Sequence, residues 1–328
     1  MGTRANDPLA ACRIAMGFSK GIELSSSEPL ASHGGSELSF SFRIFCYFCG
    51  SLPALFFLAV LFVTPVFSQN LQSLSAAITS GNSEQKRDAL FQIRNLRSEI
   101  ASREALTALS DSDPIVRATA APSVVFLPKP EAVAALSPLL VDKDPFVRKE
   151  AAYALGLVQS PDAAAALIEL LRREKDLEVR SAAAIALGAS GNPSAVEPLL
   201  SILRSRPNED SEFLRRSAAR SIGQIAQIAK TSEADVVTPQ NFLPERFKTA
   251  SEAGLASRLP AFAAAVPILN SVLQNRNESD DARREAAFAL GAIGSTSSEP
   301  ILRAHRNSPD PYLAEIAKEA LLKLGSLD

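Results

Sequence analysis

An Arg that recurs at a nearly fixed interval, with a Gly eight residues behind it, constrains this chain more than any other feature. DPIVRATAAPSVV (113–125), DPFVRKEAAYALG (144–156), DLEVRSAAAIALG (176–188) and SDDARREAAFALG (279–291) align without gaps, and SEFLRRSAARSIG (211–223) aligns more loosely. The shared residues are Arg117, Arg148, Arg180, Arg215 and Arg283, separated by 31, 32, 35 and 68 residues, the last interval being two periods plus an insertion. The trailing glycines are Gly156, Gly188, Gly223 and Gly291. Arg87 stands in a degenerate first copy, and Ala314 takes the slot in the last. A period of this length defines units too small to bury an apolar face alone, so neighbours must stack and share one core.

Each period reads as two helices. The first opens on Asp113-Pro114, Asp144-Pro145 or Asp310-Pro311, an N-cap followed by a Pro at the first helical position. Val147, Ala151, Ala154 and Leu155 form its apolar stripe. The repeat Gly either admits a close neighbour or helps to end the helix. The second helix opens on Ser160-Pro161 or Asn192-Pro193 and ends in Leu139-Leu140, Leu170-Leu171 or Leu199-Leu200, with Pro138, Pro198, Pro267 and Pro300 about a turn inside. The expected fold class is all-α, an α-α superhelix of helix pairs over residues 69–328 behind an apolar leader helix. The polar first copy and the helix from Pro311 to Leu324 are the natural end caps.

The segments resemble HEAT repeats, of the short type named for phycobilisome lyases, over roughly residues 84–325. The resemblance implies a ladder of hydrogen bonds between repeats made by Asp113, Arg117, Asp144, Arg148, Asp176, Arg180, Arg215 and Arg283, pairing Asp144 with Arg148 and Asp176 with Arg180. It implies no one function. HEAT-like deoxyhypusine hydroxylases place His-Glu just after the Arg to hold iron; here those slots are Lys149-Glu150 and Arg284-Glu285. A cation does not ligate iron at neutral pH, so no metal site is expected. Bilin lyases of the same repeat type are the other enzymatic relatives implied.

Composition removes further classes. The chain has 328 residues with a formal net charge of −2, no Trp and 3 Tyr, which argues against nucleic acid as a partner. The three cysteines, Cys12, Cys46 and Cys49, all precede the repeats, so the repeats hold no thiolate site and no disulfide. The histidines are His33 and His305, too far apart in the chain to suggest one site, and His305 in RAHRNS reads as a surface residue. No GxxxxGK, GxGxxG or GxSxG motif occurs. No catalytic residue and no cofactor is expected.

Ahead of the repeats, residues 44–67 read IFCYFCGSLPALFFLAVLFVTPVF, without charge and just after Arg43. The stretch is either a signal peptide over 44–68, cleaved after Ser68, or an uncleaved membrane anchor. The expected location is accordingly secreted, periplasmic or membrane-anchored. Residues 1–43 are Ser- and Gly-rich and aperiodic: either a disordered tail, or sequence upstream of the true start of translation.

Between Gly223 and the second helix of that repeat, the stretch 230–260 is a Pro-broken insertion, with a short helix expected over Glu245 to Ser257. Phe242 and Phe247 there, and Arg172, Arg173 and Arg204 at the ends of second helices, are the candidate partner contacts. The function expected is a non-enzymatic scaffold holding a protein or peptide partner; the alternative is a lyase- or hydroxylase-type HEAT-repeat enzyme or accessory subunit.

Overall fold

A computed structural model describes residues 70–234 and 254–326. The chain divides into two units, Met1–Phe62 and Val63–Asp328, and every described residue belongs to the second. Residues 1–43, the apolar stretch 44–68, Phe242 and Phe247 lie outside the described residues.

The described residues are helical throughout, with no strand among them. After α1 (70–80) come α2 (Ser83–Leu96), α3 (Glu99–Glu104), α4 (Pro114–Ala120), α5 (Lys129–Leu136), α6 (Pro145–Val158), α7 (Ala164–Arg173) and α8 (Leu177–Ser190). There follow α9 (Val196–Leu203), α10 (Glu212–Ala234), α11 (Leu255–Arg258), α12 (Pro260–Gln274), α13 (Asp280–Ile293), α14 (Glu299–His305) and α15 (Pro311–Lys323). The first helices of the pairs, α2, α4, α6, α8, α10, α13 and α15, pack in succession against one another. The second helices, α3, α5, α7, α9, α12 and α14, form the other layer. One apolar core runs from Leu74 and Ile78 of α1 to Leu321 of α15. The fold is an α-solenoid.

The sequence explains the stacking locally. The Ala pairs at 151–152, 182–183, 218–219 and 286–287 are fully buried, and small side chains let the backbones approach. The repeat glycines sit where successive first helices meet. A Cβ on Gly156 would lie 3.2 Å from the Cα of Ala186, and one on Gly291 would lie 2.8 Å from the Cα of Ala320. They do not end their helices. Termination comes three residues later, where Gln159, Gly191 and Gly294 take left-handed backbone conformations at φ 51°, 68° and 75°.

Two expectations need correction. In the first copy, counting four residues from the cap Asn82 puts Lys86, not Arg87, in the Arg slot. Pro267 lies in mid-helix, because α12 begins at Pro260, well before its counterpart helices in the other repeats. Within the stretch 230–260, α10 continues to Ala234, and α11 (Leu255–Arg258) leads into α12.

Candidate partner-binding surfaces

The repeat arginines stand four residues after their caps. The cap carboxylates serve their own helices: Asp113 accepts from the N–H of Ile115, Asp144 from Phe146, Asp176 from Glu178 and Val179, and Asp310 from Tyr312. The pairs Asp144–Arg148 and Asp176–Arg180 are therefore not the ladder. The Arg148 guanidinium goes to Glu174 and to the carbonyls of Asp142 and Lys143, not to Asp144.

The ladder uses the carboxylate two residues before the cap of the following repeat. Lys86 reaches Asp111 at 2.6 Å, Arg117 grips Asp142 through Nε and Nη2 at 2.8 and 2.9 Å, and Arg148 reaches Glu174 at 2.6 Å. The same carboxylates accept the backbone N–H of the cap: Asp113 onto Asp111, Asp144 onto Asp142 and Asp176 onto Glu174, at 2.8, 2.9 and 3.0 Å. Each arginine also holds its own linker, Arg117 Nη1 donating to the carbonyls of Asp111 and Ser112, and Arg148 Nη1 to those of Asp142 and Lys143. One side chain thus ties two successive linkers.

These contacts set the charge states. The Lys86 ammonium holds the Asp111 carboxyl below its ordinary range against the opposing effect of burial. Burial pushes Asp142 up, but Arg117 and the Asp144 N–H outweigh it and leave the carboxyl lowered. Glu174 is lowered in the same way, by Arg148 and two backbone N–H groups against burial.

The rungs of Arg215 and Arg283 depart from the pattern. Across the insertion, Arg215 pairs with Glu278, one residue before the cap Ser279; both side chains are only 2% exposed. Arg215 also donates to the carbonyls of Ile202, Leu203 and Ser205. Arg283 donates to Leu273 O at 3.1 Å and to Asp280.

The slots beside the arginines form a second, outer row. Lys149 reaches Glu178 at 2.8 Å and lies over Phe146; Arg216 reaches Asp281 at 2.8 Å and lies over Phe213. Arg284 holds Asp310 through Nε and Nη2 at 2.8 and 3.1 Å and lies over Tyr312, while Glu285 accepts from Arg220. Lys149 and Arg284 join one repeat to the next. Among the described residues no cluster of His, Cys, Asp and Glu is arranged to hold a metal.

Of the candidate partner contacts, Arg173 Nη2 donates to Leu140 O of the preceding repeat at 3.0 Å, Arg204 pairs with Glu197 on its own helix, and Arg172 is exposed. His305 is half-buried with Nδ1 2.9 Å from Ile301 O.

One concavity among the described residues was not anticipated from the sequence. A groove of about 900 Å³ runs along the turns that join first to second helices. Gly188 to Pro193 floor it, Lys129, Gln159 and Pro161 continue it, and Gln224, Gln227 and Ile228 of α10 wall it. The wall exists because α10 has 23 residues where α6, α8 and α13 have 14. Gly191 is held close under it, where an added Cβ would lie 2.6 Å from Ile228 Cγ2. The one sequence signal was the run of apolar and amide residues IGQIAQIA (222–229) continuing beyond the repeat Gly.

An open stack of helix pairs with an arginine ladder defines a class, the α-helical repeat solenoids. Within it, a HEAT-repeat model matches residues 102–188 and 167–238, and a phycobilisome (PBS) lyase HEAT-like repeat model matches 282–305. Over those residues the chain carries HEAT repeats. Its fold is similar to that of importin beta, at 15% identity and TM-score 0.55, over 82% of this chain and 38% of that one. A complex of CpcE and CpcF of phycocyanin lyase from a Nostoc strain aligns at 19% identity and TM-score 0.43, over 93% and 100% of the two chains. A designed armadillo repeat protein in complex with the peptide (KR)4 aligns at 16% identity and TM-score 0.40, over 77% and 99%. Comparison with curated proteins gives no match.

Proposed function

We propose that this protein is a non-enzymatic scaffold that holds a segment of a partner polypeptide in the groove beneath α10. The observation that carries the reading is the groove's lining. It pairs the turn backbone of Gly188 to Pro193 with the amide side chains of Gln224 and Gln227 and the apolar Ile228 and Leu259. Amides offer donors and acceptors together, which suits the alternating N–H and C=O groups of an extended peptide, and the apolar residues supply area for its side chains. The use of Lys149, Arg284 and Glu285 in pairs between repeats further favours binding over chemistry.

The test is a photoreactive amino acid placed at Gln227, with Arg87 on α2 as the exposed control. The expected result is a polypeptide crosslinked at 227 and not at 87, its contact mapping to a short continuous segment. Equal crosslinking at both positions overturns the reading, as does stoichiometric iron or tetrapyrrole in the purified protein.

The proposal includes export. The uncharged stretch 44–67 supports it; among the described residues no helix is long and apolar enough to cross a membrane. N-terminal sequencing of the protein from its native cells is expected to begin at Gln69 if the stretch is cleaved. A mature N-terminus upstream of residue 44 in membrane fractions establishes the anchored form instead, and the same N-terminus in the soluble cytoplasmic fraction rules out export.

A further inference from the structure

Two rungs lack a carboxylate from the next repeat, those of Arg180 and Arg283; Arg283 Nε still donates to Leu273 O, whereas Arg180 Nε donates to nothing among the described residues. Arg180 occupies the same slot as Arg117 and Arg148, four residues after the cap Asp176. Its Nε is buried and has no hydrogen-bond partner among the described residues. The carboxylate due to meet it is Glu209, two residues before Ser211, the residue at the cap position of α10. Glu209 is exposed.

The linker explains the displacement. In the rungs that form, the carboxylate two residues before the cap also takes the cap's N–H, and that bond fixes its direction. Here the N–H of Ser211 goes to Asn208 Oδ1 at 2.8 Å instead. The preceding stretch is drawn the other way, onto Arg215, which takes the carbonyls of Ile202, Leu203 and Ser205. Glu209 therefore lacks the anchor that aims Asp142 and Glu174 at their arginines.

A buried guanidinium N–H without an acceptor is a standing cost, and a carboxylate removes it with two parallel charge-assisted bonds. The sister rungs show what fits: an Asp or Glu on an extended linker. We propose that Arg180 is a receptor position for an acidic side chain of a partner polypeptide, which completes the rung. The partner segment is of the Asp-x-Asp type that the chain itself presents at 111–113 and 142–144. This deepens the scaffold reading and rests on it for the nature of the partner. The site lies at the opposite end of α8 from the groove.

The test uses the whole mature protein and the hexapeptide of residues 141–146, Val-Asp-Lys-Asp-Pro-Phe, whose Asp142 fills the rung of Arg117. Binding is measured by NMR titration, with chemical-shift changes expected near Arg180. A peptide carrying Asn for Asp142, or the protein variant Arg180→Met, is expected to weaken binding at least tenfold. Arg180→Met is expected to leave the thermal midpoint unchanged, while Arg117→Met and Arg148→Met lower it. Equal binding of the Asp and Asn peptides overturns the proposal, as does equal displacement of the peptide by inorganic sulfate at the same concentration. So does a Glu209→Gln variant destabilised as much as Asp142→Asn, which makes Glu209 the occupant. Loss of the peptide effect with the Gln227 crosslinks intact sinks this inference alone; the converse sinks the groove alone.

Discussion

Gly291 and Gly156 occupy equivalent positions in two helices yet differ in how closely the next helix approaches. Gly inside a helix gives up about 1 kcal/mol relative to Ala, so replacement is favourable unless the new methyl collides. At Gly291 the collision is with Ala320 Cα and Cβ at 2.8 and 2.7 Å, backbone and a short side chain that cannot swing away. Gly291→Ala is expected to destabilise the fold by about 1–3 kcal/mol through overpacking. At Gly156 the nearest atoms are 3.2 and 3.3 Å off, and Gly156→Ala is expected to be close to neutral. Urea unfolding of the two variants checks the contrast; the reverse order contradicts the packing account. The buried pair Arg215–Glu278 makes a sharper case. Removing one member leaves an unpaired charge in the core, so Glu278→Ala is expected to cost about 3–5 kcal/mol by the same assay. The positions of these glycines were plain from spacing alone. Their role was not, because a Gly eight residues behind an Arg is compatible with either a close crossing or a helix end, and only the left-handed residues at Gln159, Gly191 and Gly294 separate the two.

At the scale of the helix and its linker, the working unit is an arginine, a cap and an acid two residues ahead of the next cap. Asp111, Asp142 and Glu174 have their carboxyls lowered in the folded protein by Lys86, Arg117 and Arg148 respectively, with burial opposing in each case. A carboxyl lowered on folding contributes stability above its unfolded value, about pH 4. That contribution is lost as pH falls through the folded value. Unfolding midpoints are therefore expected to be flat near neutrality and to drop below about pH 4, with a smaller drop in Asp142→Asn. An equal acid slope in that variant removes Asp142 from the account. Capping was legible in the sequence because Asp-Pro is a strong local signal. The ladder partner was not, although DSD, DKD and EKD stand in front of three helices. Both acids of such a motif look alike in sequence; what tells them apart is that the second is occupied by its own helix.

The whole array has neighbours on both sides of almost every repeat, and its strength at each junction depends on whether the rung is closed. Hydrogen exchange is expected to show the α8–α10 junction opening more readily than that between α6 and α8, where Arg148 and Glu174 are joined. Uniform protection across the two junctions contradicts this. Helix pairs, their order and their common core could be read from the period. The groove could not, because it depends on where α10 stops, and nothing periodic marks the end of a helix that leads into an insertion.

The ladder also has a direction. Arg117, Arg148 and Arg215 each await a carboxylate that lies further along the chain, 25, 26 and 63 residues on. As the chain leaves the ribosome, a repeat therefore emerges with its cation uncompensated and is locked only when the next linker follows. Folding in the cell is expected to run one repeat behind synthesis at these rungs, with the longest wait at α10, whose partner acid Glu278 follows the insertion and α12.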